Sequence, residues 1–215
     1  ADLSMMQHER LRALLNAFSG KRVMVVGDCM LDEYIWGRAE RISPEAPVMV
    51  VQQVETTWAA GGASNVAVNV VAMGGEASIV SVVGQDAMGE RLRSELSRQG
   101  VSHAGVISDP NRPTTVKTRI VAHNQQVVRV DRETRAPISP AVTAALTEAV
   151  RAQLPRTDAV LFSDYSKGVL TEALVSAVQE AARAAGVPTF ANPKPSSIGH
   201  YRGVNLVSLN QSEAE

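Results

Sequence analysis

The stretch Ala59–Gly75, AAGGASNVAVNVVAMGG, combines residues that suit the binding of a polar ligand. The pair Gly61-Gly62 lets the backbone approach a ligand closely, and the helix that begins there offers free N–H groups and the positive end of its dipole. Asn65, near the first helical turn, can present its amide to hydroxyl groups. We expect Asn69, one turn further along, to satisfy backbone groups of a neighbouring segment, and capping or packing is the alternative role for both asparagines.

Four pairs of polar residues also follow apolar runs of the kind that form buried strands. In an open parallel sheet, ligands bind at the carboxyl ends of the strands, so polar residues that follow successive strands can meet at one edge. Loops that start helices are polar in most proteins, so each pair taken alone has an ordinary structural explanation. Together they indicate a ligand site, and they are Asp28 and Asp32, Asp164 and Lys167, Asn192 and Lys194, and Asn210 and Glu213.

The composition excludes several classes of protein. The 215 residues are 45% hydrophobic and 20% charged with a net charge of −1, so nothing indicates a partner such as nucleic acid or an anionic membrane. No apolar run approaches the roughly 20 residues that a membrane-spanning helix needs, and the charged N-terminus has no signal-peptide core. The single cysteine, Cys29, cannot form an internal disulfide, which fits a cytoplasmic protein in which this thiol is small and buried.

Strand-like and helix-like segments alternate along most of the chain, which predicts a parallel sheet covered by helices on both faces. Short apolar runs predict strands at Arg22–Asp28, Glu76–Gly84, Asp158–Ser163, Val187–Ala191 and Val204–Leu209. Apolar residues spaced three and four apart predict helices. These are a first helix with Leu11, Leu14, Leu15 and Phe18 on one stripe, Ala63–Met73, a helix with Met88, Leu92 and Leu96 that stops at Gly100, Pro140–Leu154, and Glu172–Ala185.

Two segments do not fit this alternation. Asp32–Glu55 has strand character at both ends with prolines between, and Thr114–Glu133 is typical of a polar β-hairpin that turns near His123 and Asn124. We expect the two segments to form a small second sheet, with strands over about residues 33–55 and 114–133. Such a sheet could close over a ligand as a lid and exclude water.

The segments VVGDCMLDEY, AGGASNVAVNVVAMGG, VVGQDAMGERL, NPKP and NQSEAE, in this order, resemble the motifs of the PfkB, or ribokinase-like, sugar kinases. Nearly the whole chain takes part, and MVVGDCMLDEYIWGRAERISPEAPVMVV, HNQQVVRVD and LFSDYSKGVL are most similar to heptose 7-phosphate kinases. The resemblance implies an α/β fold, a ribokinase-like parallel sheet flanked by helices, with a small β-sheet lid that often forms the dimer contact. It also implies ATP-dependent phosphorylation of a heptose phosphate for the ADP-heptose precursor of lipopolysaccharide, often in the N-terminal half of a bifunctional ADP-heptose synthase.

The resemblance also implies a role for each matching residue of the sugar site. Carboxylates accept paired bonds from adjacent hydroxyls, and arginine forks suit the oxygens of a phosphate that the substrate already carries. The lid cations have a solvated strand face as their alternative interpretation. The implied residues are Asp28 and Asp32 for sugar hydroxyls, Gly61, Gly62 and Asn65 for the sugar-contacting turn, Lys117, Arg119 and Arg129 for the substrate phosphate, and Asp164 and Lys167 beside them.

The nucleotide and its metal are implied beside the last two strands. Asn192 and Lys194 match the position that approaches the ATP phosphates, although heptose kinases usually carry aspartate where Asn192 stands and ribokinases carry asparagine. Asn210 and Glu213 match an Asn-x-x-Glu motif that organises Mg²⁺, with Glu213 acting through water and the phosphates. The same motif is a helix capping box, and both roles can hold at once.

The family's second signature is a Gly-Ala-Gly-Asp turn, which supplies the catalytic base and an anion hole for the transferred phosphoryl group. These 215 residues do not contain it. We therefore expect residues 1–215 to be a truncated ribokinase-like kinase domain, the sugar-binding half, inactive alone and forming a homodimer through the lid. Two alternatives stay open: a ribokinase- or fructokinase-type enzyme for an unphosphorylated sugar, and a non-catalytic fragment that binds a sugar phosphate or dimerises.

Overall fold

The structure, a computed structural model, describes residues 3–214, which form two β-sheets and a set of helices. The strands are β1 (Arg22–Gly27), β2 (Cys29–Ile42), β3 (Met49–Gly62), β4 (Glu76–Gly84), β5 (Ser102–Asp109), β6 (Val116–Ala122), β7 (Gln125–Arg132), β8 (Ala159–Ser163), β9 (Thr189–Asn192) and β10 (Leu206–Val207). The helices are α1 (Leu3–Asn16), α2 (Ala63–Ala72), α3 (Ala87–Arg98), α4 (Pro140–Gln153), α5 (Glu172–Ala184) and α6 (Gln211–Ala214), with short 3₁₀ turns at Leu154–Arg156 and Pro195–Tyr201.

The large sheet has the order β10-β9-β8-β1-β4-β5, and its strands pair in parallel, as the sequence predicts. Side chains along β1 point alternately to its two faces, so Met24 and Val26 pack with α4 and α5, whereas Val25 packs with α2 and α3. These three side chains are fully buried, and each such burial contributes roughly 1.5–3 kcal/mol. The prediction of helices on both faces is therefore confirmed.

The second sheet has the order β3-β2-β6-β7 and is here called the lid. Strands β2 and β6 pair in parallel, while β2–β3 and β6–β7 are antiparallel. The predicted hairpin turn is confirmed, since His123 and Asn124 have φ values of 50° and 62°, which suit a tight two-residue connection. The lid strands extend beyond the predicted residues 33–55, because the buried residues that follow Asp28 belong to β2 and pair with the end of β3.

Three other details differ from the sequence-based expectations. Strand β5 was not predicted, because it is an edge strand in which Ser, His and Gly interrupt the apolar pattern. Strand β10 is only two residues long within the predicted Val204–Leu209. The first helix is confirmed, yet its residues Leu11, Leu14 and Leu15 are 54–60% exposed, so local periodicity predicted the helix but not what packs against it. Among residues 3–214, no helix has the length and apolar composition needed to cross a bilayer.

Candidate functional site

The carboxyl ends of four strands lie side by side at one edge of the large sheet, here called the carboxyl edge. Gly27 lies opposite Ser163 on β8, and Ser163 lies opposite Asn192 on β9. Polar residues that end or follow these strands are therefore neighbours. The edge brings together Asp28 after β1, Asp164 after β8, Asn192 at the end of β9, and Asn210 after β10.

Asp32 lies on β2 in the lid, and one of its carboxylate oxygens is open. Oδ1 accepts a hydrogen bond from Arg119 Nη1 at 2.6 Å, and that guanidinium lies 5.3 Å from the centre of the Tyr34 ring. Oδ2 accepts no hydrogen bond from the described residues. The side chain is 20% exposed, so Asp32 is oriented by Arg119 and still presents an acceptor to a ligand hydroxyl.

The glycine pair at the end of β3 is required because atoms of Asp32 and Asp28 leave no space for a side chain there. A Cβ on Gly61 would lie 2.6 Å from Asp32 Oδ2. Gly62 has a φ of 56°, and a Cβ there would lie 2.5 Å from the carbonyl oxygen of Asp28. The same carbonyl accepts the first N–H of α2, from Ala63, at 3.0 Å. The glycines thus bring Asp32 and the start of α2 together, a requirement that the sequence did not reveal.

The two asparagines of α2 both lie on an exposed face, one turn apart. Among the described residues, neither side chain has a hydrogen-bond partner. Asn65 is exposed beside the glycine pair, and its role in binding a ligand stays a prediction. The expectation that Asn69 satisfies the backbone of a neighbouring segment is wrong, because its side chain faces solvent.

The expectation that Asp28 binds sugar hydroxyls needs correction. The residue is 1% exposed, and its oxygens already accept three backbone N–H groups of the loop after β8. Oδ2 accepts from Tyr165 at 2.8 Å and Lys167 at 3.1 Å, and Oδ1 accepts from Val169 at 3.2 Å. Burial raises the pKa of Asp28, and these three donors oppose that rise. The geometry gives Asp28 a backbone-holding role.

Asp164 needs the same correction. It is 2% exposed, and Oδ2 accepts hydrogen bonds from Ser197 Oγ at 2.5 Å and Tyr201 Oη at 2.8 Å. Oδ1 accepts the N–H of Ser166 at 2.8 Å. Burial, together with the Asp164 carboxylate, raises the pKa of Tyr201, so the phenol stays a donor. Asp164 therefore ties the edge to the 3₁₀ turn before β10, and the structure gives it no oxygen for a substrate.

The predicted lid cations lie together, and each has a carboxylate partner. Lys117 Nζ lies 2.8 Å from Asp131 and 3.3 Å from Glu133. Arg129 Nε lies 2.8 Å from Asp131 Oδ1. Lys167, from the loop that holds Asp28, reaches Glu133 at 2.7 Å. These ion pairs join the lid to the carboxyl edge, and their residues are here called the lid charge cluster: Lys117, Arg129, Asp131, Glu133 and Lys167.

The residues predicted for the nucleotide side lie at the ends of β9 and β10. Lys194 Nζ lies 2.5 Å from Glu213 and 5.6 Å from the centre of the Tyr165 ring. Asn210 and Glu213 form the predicted capping box, because Asn210 Oδ1 accepts the Glu213 N–H and Glu213 Oε2 accepts the Asn210 N–H. Asn192 Nδ2 donates to the Ser208 carbonyl at 2.8 Å. The hydrogen bond from Lys194, and then that from the Asn210 amide, hold the pKa of Glu213 below its ordinary value.

A metal ion would find few direct ligands here. Within residues 3–214, no three His, Cys, Asp or Glu side chains are grouped so that they could hold one. The Glu213 carboxylate is already engaged by Lys194 and the Asn210 amide.

Four residues that shape this site were not predicted from the sequence: Tyr34, Asp131, Glu133 and Tyr165. A regular two-residue turn at 123–124 would place Val130 opposite Lys117, and only the register shift between Ile120 and Val121 brings Asp131 there, so the sequence pattern held no usable signal for Asp131. Tyr34 and Tyr165 act through ring contacts with cations whose positions depend on the fold of distant segments.

Comparison with known proteins identifies the relatives of this chain. The profile of the pfkB family carbohydrate kinases matches residues 21–215. The chain is 44% identical over 210 residues to the bifunctional protein HldE of Geotalea uraniireducens (strain Rf4), covering 98% of this chain and 43% of that protein. The HldE protein of Geobacter metallireducens is 45% identical, again over 98% of this chain and 43% of that protein. The chain thus spans less than half the length of these relatives.

Solved structures share the fold at low sequence identity. A carbohydrate kinase from Agrobacterium tumefaciens superposes with a TM-score of 0.65 at 22% identity, over 90% of this chain and 62% of that one. Arabidopsis thaliana ribokinase, complexed with ribose and ATP, gives a TM-score of 0.62 at 18% identity, over 90% and 61%. The arrangement of a parallel sheet with a β-sheet lid is therefore shared with these kinases.

The lid charge cluster generates a prediction about pH. Although burial alone would raise the pKa of Glu133, hydrogen bonds from Lys167 and Lys117 hold it below the ordinary 4.5. A carboxyl with a depressed folded pKa stabilises the protein above its unfolded value, and this contribution is lost as pH falls through the folded value. We expect the Lys167–Glu133 contact to persist from pH 7 to about 4.5 and to break only below that.

Carboxyl ¹³C chemical shifts of Glu133, followed against pH, measure this directly. Lys167→Met should raise the midpoint, because burial then acts with less opposition, while the surface change Lys21→Met should leave it in place. An unchanged midpoint in Lys167→Met would contradict the contact.

Proposed function

This chain belongs to the pfkB family of carbohydrate kinases, and we propose that it forms the sugar-binding part of an ATP-dependent kinase whose substrate is a sugar phosphate. The observation that carries the proposal is one face of the lid, here called the inner face. Asp32 lies opposite Lys117, and Lys117 lies opposite Asp131, so a hydroxyl acceptor and a phosphate-binding cation share this face. Sugar and phosphate recognition therefore occur side by side.

The next cross-strand row extends the inner face. Tyr34 lies opposite Arg119, and Arg119 lies opposite Arg129. Because side chains two residues apart share a face, this row continues the same surface. Two contacts hold the inner face toward the carboxyl edge. Lys167 contacts Glu133, and Gly61 packs against the Asp32 side chain. A sugar bound at Asp32 and Asn65 would reach the lid cations with its distal phosphate.

We propose D-glycero-D-manno-heptose 7-phosphate as the substrate, phosphorylated at its anomeric hydroxyl for ADP-heptose and lipopolysaccharide precursor synthesis. Support comes from the motifs shared with heptose 7-phosphate kinases and from the identity of 44% to a bifunctional HldE protein. In this substrate the phosphate is at the opposite end of the sugar from the reacting hydroxyl. That separation fits cations that lie on the lid rather than at the carboxyl edge. We place the reaction in the cytoplasm, where the buried Cys29 thiol stays reduced.

The residues of the chain act by binding and positioning. Asp32 and Asn65 orient the sugar, Lys117 and Arg129 hold its phosphate, and Lys194 approaches the nucleotide with Asn192 beside it. When bound, ATP would supply the phosphoryl group and Mg²⁺ would neutralise its charge, and Glu213 is the residue that would hold the ion, through water. Among these 215 residues we assign no catalytic base, since the Gly-Ala-Gly-Asp turn does not occur in them.

Two alternatives have observations in their favour. Carboxylate partners already neutralise the lid cations, and Asn192 stands where heptose kinases usually have aspartate, which favours a ribokinase- or fructokinase-type enzyme for a free sugar. A binding or dimerising role is favoured by the outer face of the lid. There Ile35, Ile120 and Val128 form a cross-strand row, and Val128 and Val130 are 45% and 55% exposed. We propose that this apolar face forms the homodimer contact.

Replacing Asp32 tests the sugar site. Asp32→Ala should weaken sugar binding by about 1–3 kcal/mol with the fold intact, the range for losing hydrogen bonds to a charged group. Calorimetry of sugar binding measures the loss. Glu33→Ala is the matched control, because Glu33 bonds Thr118 on the opposite face and should leave affinity unchanged. Equal affinities for Asp32→Ala and the unaltered protein would exclude Asp32 as a sugar ligand.

Neutralising the lid cations tests the substrate class. The protein with all its natural segments is assayed for phosphoryl transfer to a panel of sugars and sugar phosphates, including heptose 7-phosphate. Lys117→Met combined with Arg129→Met should raise KM for the sugar phosphate at least tenfold and change KM for a free sugar much less. Arg38→Met, an exposed lid cation, is the control. Equal losses for both substrates would assign these cations to the lid surface instead.

The 215 residues alone should release no ADP above background from ATP and Mg²⁺ with heptose 7-phosphate. The base and the anion hole each contribute orders of magnitude to transfer, and the sequence contains neither motif. Leu206 and Val207, 57% and 40% exposed on edge strand β10, should also make this piece prone to associate. Turnover within the usual kinase range of about 1–100 s⁻¹ would contradict the catalytic scheme.

A further inference from the structure

We infer that Asp28 is a positioning residue, which holds the loop Ser163–Leu170 so that this loop joins the lid to the nucleotide side. The inference deepens the proposed function and rests on it. It differs from a direct role in sugar binding, because it requires no contact between Asp28 and the substrate.

The loop is wrapped around the carboxylate. The donors to Asp28 are the N–H groups of Tyr165, Lys167 and Val169, at alternate positions, over 2.8–3.2 Å. The residues between them have left-handed backbones, with φ values of 55° at Ser166 and 84° at Gly168. Alternation of this kind turns successive N–H groups toward one point and makes an anion-binding concavity. Here the anion is the protein's own buried side chain.

The loop has a second anchor on its far side. The Gly168 carbonyl accepts the N–H of Ile138 at 3.0 Å, and a Cβ on Gly168 would lie 2.1 Å from the Ala136 carbonyl oxygen. Arg112 Nη2 donates to the Lys167 carbonyl at 2.8 Å. The loop therefore lies between Asp28 and the segment that leaves the lid, with little room to shift.

The side chains of the loop extend toward the two sides of the site. Lys167 reaches Glu133, just after the last lid strand, at 2.7 Å, and both side chains are less than one-fifth exposed. Tyr165 places its ring 5.6 Å from Lys194 Nζ. One loop thus sets both a lid contact and a nucleotide-side cation. If Asp28 no longer held the backbone, both contacts would loosen although neither involves Asp28 itself.

The test uses the protein with all its natural segments and three changes: Asp28→Asn, Gly168→Ala and Lys167→Met. Asp28→Asn replaces an acceptor oxygen with a donor facing N–H groups. Gly168→Ala distorts the loop and leaves Asp28 intact. It therefore tests whether the loop position matters for activity even if Asp28→Asn does not fold. Asp109→Asn is the matched control, because this aspartate lies at the carboxyl end of strand β5 and also accepts a backbone N–H, from Asn111. Steady-state kinetics and amide hydrogen exchange of residues 164–170 are measured together.

We expect Asp28→Asn and Gly168→Ala each to lower kcat/KM at least tenfold and to speed exchange in residues 164–170 at least tenfold. Lys167→Met should lower kcat/KM, and adding it to Asp28→Asn should reduce kcat/KM by no more than about twofold further, because both act through one contact. Asp109→Asn should change neither readout.

Two results would overturn the inference. One is a loss of sugar affinity in Asp28→Asn with loop exchange unchanged, which would make Asp28 a direct ligand. The other is an unchanged kcat/KM in Gly168→Ala although amide exchange in residues 164–170 is faster. Failure of the proposed function gives a different pattern: the unaltered protein would phosphorylate no sugar phosphate, while the exchange data would still report whether Asp28 holds the loop.

Discussion

A single residue joins the two sheets at the centre of the site. Strand β1 ends at Gly27 and strand β2 begins at Cys29, so only Asp28 separates an interior strand of the large sheet from an interior strand of the lid. One residue spans only about 3.3 Å, so the first residues of the lid must lie directly at the carboxyl edge of the large sheet. The buried Asp28 side chain then holds the loop after β8 from below. The base of the lid and the loop after β8 are thereby both held by Asp28.

The charges above that point are balanced within the protein. Lys117, Arg129 and Lys167 share two carboxylates, Asp131 and Glu133. Removing one member of a partly buried cluster leaves an uncompensated charge, which costs more than the loss of an exposed pair. A ligand phosphate would therefore have to compete with Asp131 for Arg129 and Lys117 instead of entering a vacant site.

Much of this arrangement follows from local sequence, and the remainder depends on long-range contacts. Short continuous apolar runs predicted the main sheet, apolar residues at helical spacing predicted its flanking helices, and polar alternation predicted the lid hairpin, because each pattern reflects which faces of one element are buried. Asp28 and Asp164 lie at the expected edge, but no local pattern predicts that distant groups, such as the Val169 amide and the Tyr201 hydroxyl, occupy their carboxylate oxygens. Gly61 stands out in the sequence as half of a glycine pair, yet the need for glycine there comes from Asp32, 29 residues earlier in the chain.

The most direct test of the account is a crystal structure of the protein, with all its natural segments, bound to heptose 7-phosphate. We predict a sugar hydroxyl within hydrogen-bond distance of Asp32 Oδ2 and the substrate phosphate within reach of Lys117 or Arg129 on the inner face, with Asp28 still bonded only to the backbone. A sugar bound away from Asp32, or a phosphate directed away from the lid, would contradict the central claim that the inner face of the lid recognises a sugar phosphate.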